Sequence, residues 1–122
     1  MAFVAKSAPD GYTLIYGTNS PFSVGPIVYA KAGYTAADFT AIALVSEAPF
    51  VLSVSNKSGV KTVAELIAAA KANPDAFSYG SVGLATTPHL MGEMLNQKAG
   101  LKMAHVPYRG GGPAMNDLVG GQ

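Results

Sequence analysis

Gly80-Ser81-Val82-Gly83-Leu84-Ala85-Thr86-Thr87-Pro88-His89-Leu90 is the stretch whose reading decides the fold. A strand-like run, Phe77–Gly80, precedes it, and a helix is expected to follow. Thr87 is the predicted N-cap and Pro88 the first helical residue, where a missing amide costs nothing. The unit is therefore strand, tight turn, helix. The unpaired amides and positive dipole end of such a helix face whatever occupies the turn. Small residues let an anion approach the backbone, here at the amides of Gly83 and Ala85, and the hydroxyls of Ser81, Thr86 and Thr87 add donors. Proteins hold a carboxylate or phosphate in this way without a buried cation.

Toward the C-terminus, Pro88–Gln97 carries an apolar stripe (Leu90, Met91, Met94, Leu95) with Gly100 beyond its end. Lys102–Tyr108 reads as a strand, Arg109-Gly110-Gly111-Gly112 as a flexible turn, and Pro113–Val119 as the start of a further helix. Toward the N-terminus, Val63–Ala72 places Val63, Leu66, Ile67 and Ala70 on one helical face. Thr62 and Glu65 form a capping box in front of it, and Asn73-Pro74-Asp75 ends it. Tyr12–Tyr16, Thr40–Ser46 and Phe50–Ser55 are rich in β-branched and aromatic residues and are predicted strands. Asp10-Gly11 is a turn signal, Gly17–Pro21 is a polar loop, and a short helix is expected over Val24–Tyr29. From residue 50 onward strands and helices alternate. That order predicts an α/β fold with a mostly parallel sheet flanked by crossover helices. Ligands of such sheets bind beyond the carboxyl ends of the strands, which singles out the loops 17–21, 80–87 and 109–112.

The chain has 122 residues, enough for a real core. Charged residues are only 12% and apolar residues 49%, about half and about the whole of their usual shares. So little charge predicts apolar surface that something else covers, either another copy or further chain. Net charge is +1 with no basic stripe, which argues against nucleic acid. With no cysteine, disulfides, thiolate chemistry and thiolate metal sites are excluded. No run reaches the roughly 18 apolar residues that span a bilayer, and no signal peptide is visible. The ends give no closing element, so the chain is expected to be the central piece of something longer.

Other chemistries fit less well. The hydrolase elbow wants glycine two residues before and two after its serine; Gly83 meets the second condition and Tyr79 fails the first. A Ser81 nucleophile would need His89 or His105 as base and Asp117 as orienter. Glu93 follows His89 by one helical turn, but the H-E-x-x-H zinc pattern is missing, and His89 reads as a locally bonded helix-start residue. Arg109 with its three glycines is either an anion nest or a mobile loop. The Gly17-Thr18-Asn19-Ser20 loop either binds a ligand or simply turns the chain.

Taken in order, several blocks resemble one family: Ala5-Lys6-Ser7-Ala8-Pro9-Asp10-Gly11-Tyr12-Thr13-Leu14, Gly17-Thr18-Asn19, Asp38-Phe39, Ala41-Ile42-Ala43-Leu44-Val45, Lys61–Leu66, Tyr79-Gly80-Ser81, Pro88-His89-Leu90, Gly92-Glu93, His105–Gly110 and Asp117–Gln122. The chain is similar to the tripartite tricarboxylate transporter receptors, the Bug-type extracytoplasmic solute-binding proteins. The resemblance implies a type II periplasmic binding protein-like fold of two lobes, incomplete here, with residues 1–39 in the first lobe and on the hinge side and 40–122 forming most of the second. It implies a periplasmic, non-enzymatic receptor without cofactor or metal that closes on a small carboxylate and delivers it to membrane permease subunits. Ligand-binding residues carried over are Thr18, Asn19, Ser81, Gly83, Ala85, Thr86 and Thr87. Where the family has glycine in the turn, this chain has Ala85. Unpaired edges in a partial lobe are expected to favour homo-oligomers. A non-binding structural fragment is the remaining alternative.

Overall fold

Thr62 starts the best-formed part of the chain. In the computed structural model, which describes residues 1–122, Thr62 is extended and its hydroxyl accepts the Glu65 amide at 3.2 Å. The Glu65 carboxylate reaches one residue further back than a capping box requires and accepts the Lys61 amide at 2.7 Å. The chain divides into two units, Met1–Pro49 and Phe50–Gln122.

In the first unit, helix α1 spans Ala2–Ala5. The Asp10 carboxylate accepts the Tyr12 amide at 3.0 Å and makes the expected turn. A wide π turn over Ser20–Val24 runs into α2, Gly25–Val28. Gly25 is buried because the Tyr34 phenol lies against it, 2.6 Å from where a Cβ would stand. Tyr34 donates to the Pro21 carbonyl at 2.7 Å. Phe39 packs edge-on against both Phe22 and Tyr34, with centroids 5.2 and 5.8 Å apart.

In the second unit, α3 spans Val63–Ala72 and buries Leu66 and Ala70 of the predicted face, whereas Val63 at its start stays 53% exposed. A turn over Pro74–Ala76 leads to strand β1, Ser78–Ser81. Helix α4, Thr87–Ala99, follows the turn, then β2, Ala104–Pro107, and α5, Gly111–Gly120. β1 and β2 pair in parallel, with Tyr79 opposite His105 and Ser81 opposite Pro107. The predicted crossover helix between parallel strands is thus α4. It ends at Gly100, left-handed at φ 66°, which lets the Leu101 amide return to the Asn96 carbonyl at 2.8 Å. Ala70, Leu101 and Met103 form the core, with Ile67, Phe77, Tyr79, Leu95 and Ala99 packed on it.

Three expectations are corrected. Residues 12–16, 40–46 and 50–55 carry no strand ladder; the sheet has two strands only. β-branched and aromatic residues favour an extended backbone, but a strand also needs a neighbouring edge and a covered face, and Tyr12, Ile42, Leu44 and Val51 are 92, 78, 76 and 79% exposed. The glycine turn after Arg109 is shorter than expected, because Gly111 and Gly112 already belong to α5. The short helix near residue 24 begins with a π turn at Ser20, not at Val24.

Candidate functional site

β1 delivers its last residue, Ser81, into the turn with only 3% of its surface exposed. Its Oγ lies 2.9 Å from the Gly83 carbonyl, 3.2 Å from the Gly83 amide and 2.7 Å from His105 Nε2. A hydroxyl has one proton and two lone pairs. One assignment satisfies all three contacts: Ser81 donates to the Gly83 carbonyl and accepts from the Gly83 amide and from a protonated Nε2 of His105. That hydroxyl is then saturated. Thr86 donates to the same Gly83 carbonyl at 2.7 Å. The turn is thus drawn together around one backbone oxygen.

The helix N-cap is Thr86, extended at φ −89°, ψ 159°, rather than Thr87, which lies within the first turn of α4. Because the Thr86 hydroxyl is committed to Gly83, the cap makes no side-chain hydrogen bond to the helix amides. Ala85, 7% exposed, is left-handed at φ 57°, the one residue other than glycine with positive φ. Its amide donates to His89 Nδ1 at 3.1 Å. A ring nitrogen that accepts an amide proton carries none itself, so His89 holds its proton on Nε2. His89 sits four residues beyond Ala85 on the first turn of α4 and reaches back to the turn, as a capping-box acid does.

The two histidines meet. Their rings stack with centroids 4.0 Å apart and planes 17° from parallel, and Tyr79 also stacks on His105 at 4.9 Å. The parallel register makes this so, since Tyr79 and His105 are directly paired and share a face. The Tyr79 phenol donates to the Glu93 carboxylate, one turn beyond His89. Burial, that hydrogen bond and the negative charge of Glu93 push the phenol pKa up. The His105 pKa is lowered by burial and by His89, against a smaller opposing effect of Glu93. Gly92 admits the Tyr79 ring, which comes within 2.1 Å of the point a Cβ would occupy. The partnership of His89 and His105 was not legible in the sequence; their place on adjacent elements was the available signal.

Asp117 accepts from the Tyr108 phenol at 2.9 Å and so does not orient either histidine. That contact, with burial and the charge of Asp117, raises the Tyr108 pKa. Arg109 is exposed. Thr18 and Asn19 are exposed residues of the first unit, and Asn19 precedes the π turn without a side-chain capping bond. Ser81, Gly83, Ala85, Thr86 and Thr87 all belong to the second unit and are brought together in one turn. A shallow, mostly apolar depression of about 100 Å³ lies against Leu52, Val54, Val60 and Leu66, and contains none of the turn's residues.

The profile of the tripartite tricarboxylate transporter family receptors matches residues 1–122. The chain belongs to this family. Over 120 residues it is 38% identical to a UPF0065 protein of Bordetella bronchiseptica, covering 98% of this chain and 35% of that protein. Over 119 residues it is 34% identical to protein BugT of Bordetella pertussis, covering 96% and 36%. The structure of R. palustris Rpa4515 with adipate superposes with a TM-score of 0.87 at 37% identity, covering 98% of this chain and 40% of that one. A second structure, described as a periplasmic transporter, superposes at 0.75 and 34% identity, covering 99% and 41%. The fold is accordingly that of a periplasmic binding protein-like α/β lobe. The chain spans little more than a third of the length of these relatives. No helix is long and apolar enough to cross a membrane.

Proposed function

We propose that the chain serves in a periplasmic solute-binding receptor that captures a small organic carboxylate for a tripartite tricarboxylate-type permease. The observation that carries this reading is the 0.87 superposition, over 98% of the chain, on a relative whose structure was determined with adipate. The residues proposed to serve the acid are Thr18 and Asn19 in the first unit and, in the second, Ser81, Gly83, Ala85, Thr86 and Thr87 of the Gly80–Thr87 turn. Ser81 and Thr86 act through the shape they give the turn, because their hydroxyls already bond the Gly83 carbonyl. The helix amides beyond Thr86 and the positive end of α4 supply the attraction for negative charge. No covalent step is assigned. Self-association through unpaired backbone edges belongs to the same reading, and light scattering that shows a monomer at high concentration counts against it.

Amide NMR during an adipate titration tests the proposal. Shifts gathered at residues 17–19 and 81–89 support it; saturable shifts gathered elsewhere, or none, overturn it. Thr86→Ala with Thr87→Ala is expected to weaken adipate binding at least tenfold, because it frees the Gly83 carbonyl that shapes the turn and removes the Thr87 hydroxyl, one charge-assisted hydrogen bond being about 1.5–3 kcal/mol. The 2.7 Å contact between Ser81 and His105 is the one feature that favours a hydrolase instead. Covalent labelling of Ser81 by a serine-reactive phosphonate would favour that second reading.

A further inference from the structure

We infer that His89 and His105 are positioning residues for the ligand turn, a stacked and uncharged imidazole pair that pins both ends of it and lets go of the Ala85 end on acidification. Each ring makes its own hydrogen bond to the turn. His89 Nδ1 holds the Ala85 amide at 3.1 Å, and His105 Nε2 holds Ser81 Oγ at 2.7 Å. Gly83, between these anchors, has φ 139°, and the anchor Ala85 itself has φ 57°, conformations that few L-residues adopt unaided. The inference rests on the receptor reading only for the identity of what the turn holds.

The stack makes the device sensitive to protons. Two rings 4.0 Å apart oppose a double positive charge. Proton uptake at His89 Nδ1 removes the acceptor of the Ala85 amide. Proton uptake at His105 places a cation against His89. The groups that face the pair are Tyr79 from β1 and Glu93 from α4 itself; Glu93 is engaged by the Tyr79 phenol. Tyr108 and Asp117 bond each other on the other face of the sheet, where the Tyr108 ring covers Gly80. Burial lowers the pKa of His105 in the same sense, toward the uncharged ring.

NMR on the intact chain between about pH 8 and pH 5 tests this, the range in which histidine changes charge. The expected result is His89 in the Nε2–H tautomer at pH 8, with the Gly83 and Ala85 amide shifts titrating in step with the imidazole resonances. His89→Phe keeps a flat ring and removes the acceptor; the Ala85 amide is then expected to exchange roughly three- to tenfold faster, as the loss of one hydrogen bond implies. Gly83 and Ala85 amides that respond neither to pH nor to His89→Phe overturn the inference, and the pH series does so even if the variant fails to fold. A third arm measures adipate affinity at pH 8, where the ligand's charge is fixed. His105→Gln, which retains a donor for Ser81, is expected to stay within a few-fold of wild type, and His105→Phe to bind about tenfold more weakly. Equal affinity in both variants overturns the positioning role. Amides that titrate as expected in a chain that binds no adipate leave the clamp standing and remove the receptor reading instead.

Discussion

Replacing Gly92 with alanine tests the architecture beneath the candidate site more directly than any change in the turn. Gly92 lies inside α4, where alanine is ordinarily favoured over glycine by about 1 kcal/mol. A Cβ at this position would stand 2.1, 2.4 and 2.6 Å from three atoms of the Tyr79 ring. Those distances are far inside van der Waals contact, and the ring cannot retreat freely. Its hydroxyl is tied to Glu93 and the ring is stacked on His105. Overpacking of this kind costs about 1–3 kcal/mol, and loss of the stack adds about 0.5–1.5 kcal/mol. After the helix-propensity gain, Gly92→Ala is expected to destabilise the chain by roughly 1–3 kcal/mol. Urea denaturation followed by circular dichroism reads this, with Gly112→Ala as control, since a Cβ at Gly112 meets nothing within 4 Å. The control should be neutral or slightly stabilising. A Gly92→Ala chain as stable as wild type would refute the packing argument and, with it, the account of why Tyr79 and His105 lie where they do.

Ala85→Gly removes a left-handed alanine and is expected to stabilise the fold by up to about 1 kcal/mol, read from the same denaturation curves; a destabilised variant would show that the methyl group's packing outweighs its strain. Asn96, 9% exposed, donates to the Met103 carbonyl at 2.9 Å and accepts the Met103 amide at 3.3 Å. Asn96→Ala leaves both backbone groups unpaired in the core and should cost about 2–4 kcal/mol, with Asn96→Asp in between because it can still accept but not donate. Because the folded-state pKa of His105 lies below its unfolded value of 6.5, the folded chain binds fewer protons in that range. Its contribution to stability is therefore complete above pH 6.5 and falls as pH drops from 6.5 through the folded pKa. A His105→Gln chain should lack that part of the pH dependence, and an unchanged profile would assign it to other groups. Tyr79 works at the opposite end: its raised pKa means that stability is lost as pH climbs above 10, and Tyr79→Phe should flatten that limb.

The difference between what was legible in the sequence and what was not follows from the range of the forces involved. α3 and α4 could be read to within about two residues because their caps and apolar spacings act within one or two helical turns. β1 and β2 were legible because a crossover helix of ordinary length separates them. Residues 12–16, 40–46 and 50–55 have the composition of strands, but pairing is a property of two segments, and neither edge is written into the other's sequence. At the turn, Pro88 pointed to Thr87 as the cap, whereas the helix is capped one residue earlier. The choice of Thr86 was made by the Gly83 carbonyl, whose position depends on Ser81 and, through it, on a histidine 24 residues away.

The same logic inverts the reading of the turn's side chains. Serine and threonine beside a helix start look like donors waiting for an anion, whereas here Ser81 and Thr86 spend their protons on one carbonyl of their own backbone. The helix terminus is left without a side-chain cap as a result, and in the proposed site it is the part that attracts the ligand. Ala85 shows the consequence most clearly. Its left-handed backbone is one that glycine would adopt without strain, and an alanine there needs an external restraint, which the imidazole of His89 supplies at its amide. The shape of the turn is thus set from outside it, by two rings carried on α4 and β2. A perturbation of either ring should reach the Gly83–Thr86 backbone even though neither lies within the turn.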